Sequence, residues 1–534
     1  PVQRACSVFC AGEILETVQA RALFNDSKTF VDMPLLADPE DVWEAWAGAG
    51  GATMSDAALE DFLSQYFGAP GSDLEAWTPP DFSPNPPFLA TIANATLRQF
   101  ASDVNAIWKE LGRQVGASVA AAPQRHTLLP LPHPTIVAGG RFREVYYWDS
   151  WFIVVGLLRS GLVDTARGHV LNLAALASDP RYGDGTMPLG FVPNGGRAYY
   201  TNRSQPPLLA LMVSAVYNAT KDAAFLAATL PALDLEYGFW MAPCARCSAV
   251  QLGAGHTLNR YVTNWTLPRP EGWQEDVATA KAAGYAPSSP AAQALFKNIA
   301  AMAESGWDFS SRWLNSTTLA STDTSDVVPV DLNAILYRVE VLLGELHDAA
   351  GSPNPAYQRA ASARAAAMEA VLWSEDAGCW LDYRLSAGVH HEEAAASNYV
   401  PLWAGAFDVS NDTRVGVVVD SLSSSGLLQV GGVVTTLQHT GQQWDWPNAW
   451  PPLQHFLIKG LAQFPRGVAL AESLATRWIT SGALAFNRTG YMYEKYAANA
   501  VGEGGGGGEY TPQEGFGWTN GVMLDLLCVY AGGQ

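Results

Sequence analysis

The segment DLNAILYRVEVLLGELH, residues 331–347, decides the fold class. Leu332, Ile335, Leu336, Val339, Leu343 and Leu346 recur at intervals of three and four, the spacing that places side chains on one face of an α-helix. Asp331, two residues after Pro329, reads as the N-cap. Outward from this segment the same signal repeats. An Ala-rich helix is predicted over 356–373, closed by the turn around Gly378, and further helices over 151–160, 206–219, 223–241, 291–304, 400–407, 450–464 and 468–481. Another starts near Leu89 and continues past Leu111. Residues 25–32 are polar and compact, and the proline-rich stretch 69–88 is expected to run over the surface. Period-two runs are few and short, as at 379–385. The chain therefore reads as all-α with long functional loops.

The helices come in consecutive pairs, with polar-aromatic segments between them. Paired helices stack as an open solenoid or close into a ring, and no repeat of fixed length is visible. A ring is favoured, because segments rich in Trp, Arg and carboxylate come from every part of the chain after residue 140, and closure gathers them at one end.

Composition narrows the function. The 534 residues carry 48% hydrophobic and only 15% charged side chains, enough for a large core, and no polar linker divides them. Nineteen Trp suit a cleft lined with rings. A net charge of −20 argues against nucleic acid, whose phosphates need a basic surface. No apolar run approaches the roughly 18–20 residues that cross a bilayer. The sequence begins at Pro1 without a signal-peptide pattern, so such a segment is expected to have been removed or left out. Sequons at Asn25, Asn94, Asn202, Asn218, Asn264, Asn315, Asn411 and Asn487 point to the secretory pathway or the cell exterior. A membrane anchor beyond Gln534 stays open as an alternative. Cys6-x3-Cys10 and Cys244-x2-Cys247 fit local disulfides in that compartment better than a four-cysteine zinc site, and no pairing follows from sequence. No metal and no cofactor is expected.

Seven segments carry chemistry. GGRFREVYYWDSWF (139–152) presents Arg141 and Asp149 beside several rings; a structural ion pair at a helix start is the rival reading. PNGGR (193–197), RSQPP (203–207) and RPEGW (269–273) together supply the forked donors and acceptors that orient a hydroxylated ligand. In SGWDFSSRW (305–313), Asp308 lies between Trp307 and Phe309, where apolar neighbours raise a carboxyl pKa and make a general acid; the alternatives are a cap or a pair with Arg312. QWDWPNAWPP (443–452) forms a rigid aromatic wall. The loop 491–520 then sets Glu494, Glu509 and Glu514 among aromatics around Gly504–Gly508. Five glycines mark a segment that is mobile or pressed close to something, and acids among flat apolar faces suit sugar.

These motifs, with DSKTFVDMPL (26–35) and EKY (494–496), cover the chain from about residue 10 to its end, and together they resemble the trehalases of glycoside hydrolase family 37. The resemblance implies an (α/α)6 toroid, six inner helices within six outer ones, as one catalytic domain over 1–534, with 1–110 an N-terminal extension packed on it. It implies hydrolysis of α,α-trehalose to two glucoses with inversion, Asp308 as general acid and Glu494 as general base. The implied binding residues are Arg141, Phe142, Trp148, Asp149, Asn194, Arg203, Ser204, Gln205, Arg269, Glu271, Gly306, Trp444 and Glu509. Trehalose would be the only partner, with no obligatory protein partner. Hydrolysis of another α-glucoside and sugar binding without catalysis are the competing readings.

Overall fold

The segment 331–347 is helical, with shifted bounds. A computed structural model describes residues 2–180, 188–243 and 248–532. In it the helix runs Val330–Ala349 with Pro329 at the N-cap position. Asp331 is therefore not the cap: it lies in the first turn, where its carboxylate accepts from both terminal nitrogens of Arg312 at 2.8 Å. The six apolar residues of the periodic stripe are all buried, but so are Asn333, Ala334, Glu340 and Leu342 on other faces. A helix whose first two turns, Val330 to Leu336, are covered on every side belongs to the inside of a larger assembly.

That assembly is a double ring. Its helices in chain order are α1 Ala95–Ala106, α2 Tyr147–Arg159, α3 Val163–Ser178, α4 Leu209–Thr220, α5 Ala223–Met241, α6 Val330–Ala349, α7 Pro355–Val371, α8 Val400–Ala404, α9 Asp412–Ser424, α10 Pro451–Leu461, α11 Val468–Thr489 and α12 Gly517–Tyr530. The even-numbered helices pack in sequence, α2 on α4, α4 on α6, α6 on α8, α8 on α10 and α10 on α12, and α12 returns to α2 with the most extensive contact of all. This last contact closes the inner ring. From outside, α3 packs on α2 and α4, α5 on α4 and α6, α7 on α6, α11 on α10 and α12, and α1 on α12; α9 lies against the short strand Cys379–Trp380. The fold is the expected (α/α)6 toroid.

Glycine permits the closure. A Cβ on Gly521 of α12 would stand 1.9 Å from the Phe152 carbonyl oxygen of α2, and one on Gly156 would stand 2.4 Å from the Gly521 Cα. The two backbones touch where side chains ordinarily keep helices 8–10 Å apart.

Other expectations need correction. The helix from Leu89 past Leu111 is broken: a 3-10 turn Pro87–Thr91 precedes α1, which Asn94 caps by accepting from the Thr96 and Leu97 amides. The stretch 69–88 runs largely over the surface as expected, with Asp73, Pro79, Pro86 and Phe88 as its buried points, but it is not without regular structure: Leu74–Ala76 pairs antiparallel with Gly112–Val115, which pairs with Thr135–Ile136. Residues Ser27–Val31 form a short helix capped by Asp26. Helices α3, α9 and α12 carried no sequence signal that we read. In α3 the apolar period is broken by the buried His169 and Asn172, which bond to Thr135 and to the backbone at His133. Cys6 and Cys10 form a disulfide and so cannot be thiolate ligands; Cys244 and Cys247 lie outside the described residues. No described helix is long and apolar enough to cross a membrane.

Candidate active site

The loops that enter the inner helices at their N-terminal ends converge on one cavity. Asp149 and Trp148 come from the first turn of α2, Gln205 from just before α4, Trp444 and Trp450 from the approach to α10, and Phe516 and Trp518 from the start of α12. The segments 443–452 and 494–496 are adjacent because Asn448–Ala449 pairs antiparallel with Tyr496–Ala497. Twelve of the thirteen expected binding residues line the cavity, as do Asp308 and Glu494. Ser204 does not: its hydroxyl donates to the Val192 carbonyl at 2.6 Å and its amide to Glu304, so it braces the loop.

Asp308 sits after the tight turn at Gly306, whose φ of +77° favours glycine and where a Cβ would come 2.8 Å from the Trp148 ring. The second tryptophan-rich segment fixes this turn. Asp445 accepts from the Ser310 hydroxyl at 2.9 Å and the Ser311 amide at 2.9 Å, and the Trp444 amide donates to the Phe309 carbonyl. Trp307 stacks on Trp444 at 5.4 Å, and Trp444 on Trp450 at 3.9 Å with planes 2° apart. Against these rings, burial pushes the Asp308 carboxyl up to about 6, while Arg269 and Arg203 pull it down and Glu494 adds to the rise. Arg312 is not its partner; that guanidinium is taken by Asp331 and Asp382.

Glu494 is held differently. Its Oε1 accepts from the Tyr510 hydroxyl at 2.6 Å, and its buried Oε2 has no protein hydrogen bond. Burial raises this carboxyl too, but Lys495, Tyr510 and Arg141 all favour the charged form. Asp149 is buried without a charged partner, and burial, reinforced by Glu494 and Asp308, drives its pKa well above the carboxylate range. Burial therefore favours its neutral, donating form, and the rival reading of an Arg141–Asp149 ion pair fails. Arg141 instead grips Asp26 through Nε at 2.8 Å and Nη2 at 2.5 Å while lying over the Tyr510 ring.

Three more contacts shape the binding wall. Arg203 pairs with Glu271 at 2.5 Å. Arg269 forks onto Asp276 and reaches Glu509 at 3.0 Å; burial nevertheless lifts Glu509 to about 8, since Asp276 already shares the same guanidinium. Gln205 accepts from the Trp148 amide at 3.0 Å through Oε1. Its own N–H groups remain for a ligand.

The glycine run is pressed close, the second of the two readings. A Cβ on Gly505 would stand 2.7 Å from Asn448 Oδ1, and one on Gly507 2.5 Å from the Gly441 carbonyl. The run delivers Glu509 and Tyr510 to the cavity. Sequence reasoning did not name Tyr146, Tyr200, Glu275, Trp450, Tyr510, Phe516 or Trp518 as binding residues, though Trp450 stood in the expected aromatic wall and Tyr510, Phe516 and Trp518 in the loop suited to sugar. Most of these stand inside the quoted motifs and could have been taken with their neighbours; Tyr200 and Glu275 gave no signal. Asp26, which holds Arg141 from 115 residues away, was hidden in the N-terminal motif.

Hydrolysis of an acetal needs a proton donor and a water-activating carboxylate facing one another across a dry site. This cavity brings together two carboxyls, Asp308 and Glu494, in unlike surroundings, and the chain is a glycoside hydrolase built on a double ring of helices. A family model described as Trehalase matches residues 22–531. The chain is 43% identical to a probable trehalase of Oryza sativa subsp. japonica, over 96% of this chain and 94% of the relative. It is 41% identical to a trehalase of Homo sapiens, over 98% of this chain and 89% of that one. Among solved structures, neutral trehalase Nth1 from Saccharomyces cerevisiae superposes with a TM-score of 0.61 at 23% identity, covering 75% of this chain and 74% of that one. The chain belongs to the trehalase family.

Proposed function

We propose that the protein hydrolyses α,α-trehalose to two glucose molecules, Asp308 protonating the glycosidic oxygen and Glu494 activating a water on the opposite face, with inversion at the attacked carbon. The observation that carries this reading is the unequal environment of two carboxyls in one cavity, Asp308 half-buried and Glu494 buried. Asp308, against tryptophan rings, is pushed up to about 6 and keeps a proton at mildly acidic pH. Glu494 has a hydroxyl donor on Oε1, a lysine behind it, and Oε2 free to accept a proton from water. Inversion requires the two carboxyl groups to stand about 6.5–9.5 Å apart with that water between Glu494 and the sugar.

The rest of the wall supplies recognition. Neutral Asp149 and the amide of Gln205 donate to sugar hydroxyls, while Arg203, Arg269 and Arg141 are already oriented by Glu271, Asp276 and Asp26 and lose little freedom on binding. Trp148, Trp444 and Phe142 offer faces for the C–H surfaces of the rings. Glucose release from trehalose by the wild type, set against Asp308→Asn and Glu494→Gln, tests the assignment. Each variant is expected to fold normally and to lose about 10²–10⁴ in turnover or more. Retained turnover in either removes that residue from its role, and faster release from another α-glucoside than from trehalose removes the substrate.

The protein is also read as a secreted or cell-surface glycoprotein. The Cys6–Cys10 disulfide suits an oxidising compartment, and every sequon asparagine except Asn202 is exposed.

A further inference from the structure

We propose that Lys495 is a positioning residue for hydrolysis: its ammonium, pinned by Gln443 behind the two reacting carboxylates, is the fixed positive charge that keeps Glu494 ionised. The inference rests on Glu494 being the base.

The geometry is specific. Lys495 is completely buried, and its Nζ donates to Gln443 Oε1 at 2.6 Å. The same Nζ stands 4.0 Å from Glu494 Oε2, the oxygen without a protein hydrogen bond. It lies over the Trp450 ring at 4.8 Å and over the Tyr510 ring at 5.6 Å. Gln443 completes the link, because its Nε2 donates to the main-chain carbonyl of Asp308. One amide thus ties the lysine beside the base to the backbone of the acid.

Two glycines of the run pack directly on this pair. A Cβ on Gly505 would stand 2.7 Å from Lys495 Cγ, and one on Gly508 2.8 Å from Gln443 Oε1, so only bare backbone can cover them. Lys495 does not line the cavity, and it acts through Glu494 and not on the sugar. A buried ammonium is costly, and burial lowers its pKa, an effect that Glu494 and Asp308 oppose. Besides Lys495, the groups facing Glu494 are Asp149, Asp308, Arg141 and the Tyr510 hydroxyl. Asp149 and Asp308 oppose its ionisation only when they are themselves charged, and Lys495 and Arg141 are the cations that favour it.

The test is the pH profile of kcat/KM on trehalose for Lys495→Met, Lys495→Gln and Lys495→Arg, each checked for native circular dichroism. Loss of the charge raises the pKa of Glu494, so the acidic limb of the Met and Gln variants is expected to move up by about one pH unit or more. Activity on that limb then falls about tenfold per unit of displacement. The Arg variant keeps the limb near its wild-type position. Should the Met variant not fold, the Gln variant, which retains a hydrogen bond to Gln443, reads the same limb. Charge-free variants with a wild-type acidic limb, or an Arg variant displaced as far as Met, overturn the proposal. A Glu494→Gln enzyme that stays active overturns the base assignment instead, so the two failures are told apart.

Discussion

Replacing Gly521 by alanine tests whether ring closure at α2 and α12 holds the active site together. The added Cβ would lie 1.9 Å from the Phe152 carbonyl oxygen and 2.7 Å from its carbon, both backbone atoms that no rotamer can move aside. Ordinary contact is about 3.5 Å, so the helices must part by roughly 1.5 Å. Overpacking of this kind costs about 1–3 kcal/mol or more, against a gain of about 1 kcal/mol for alanine over glycine in a helix. The kinetic cost is larger. Trp148 and Asp149 begin α2, Trp518 begins α12, and the Trp518 indole donates to the Glu494 carbonyl at 2.9 Å. A displacement of about 1 Å at such a site costs on the order of 10²-fold. We expect Gly521→Ala to lower kcat/KM on trehalose about 10²-fold and to lower the urea midpoint. Gly344→Ala, in α6 with no atom within 4 Å of the new Cβ, is the control; it should leave kinetics unchanged and raise stability by up to about 1 kcal/mol. Wild-type kinetics and an unchanged urea midpoint in Gly521→Ala would refute the reasoning.

Two pH effects and one modification follow. Asp308 must carry a proton and its pKa is raised to about 6, so kcat/KM is expected to decline as pH rises through about 6; a profile flat from pH 5 to 8 contradicts this. Tyr510→Phe removes the 2.6 Å donor to Glu494, a charge-assisted bond of about 1.5–3 kcal/mol, and should move the acidic limb up by about 1–2 pH units, measured on the same profile. Asn202 is half-buried with Oδ1 accepting from Arg203 at 3.1 Å, so glycopeptide mass spectrometry of secreted protein should find it bare; full occupancy contradicts the placement.

How far the sequence could be read depended on whether the signal was local. The periodicity over 331–347 exposed an inner helix because its apolar positions outnumber the buried Asn333 and Glu340. Helix α12 stayed invisible because Gly517 and Gly521, placed for contact with α2, look like turn residues in a chain already rich in glycine. Asp308 stood out as a candidate acid from Trp307 and Phe309 beside it, and Glu494 as one of three acids in a loop suited to sugar; the resemblance alone gave Glu494 its role, since its electrostatic partners Lys495 and Tyr510 act through the fold. The Arg141–Asp26 pair was out of reach for a different reason. A strong hydrogen bond between residues 115 positions apart leaves no trace in spacing.

The most direct test of the central claim is the anomeric form of the first glucose released, followed by proton NMR before mutarotation equilibrates the products. If Glu494 directs water to the face opposite the leaving group, one glucose emerges as β and the other stays α, so early spectra should show the two anomers in equal amounts. Release of α-glucose alone would mean retention at the attacked carbon and would contradict the assignment of Asp308 and Glu494 as an inverting pair.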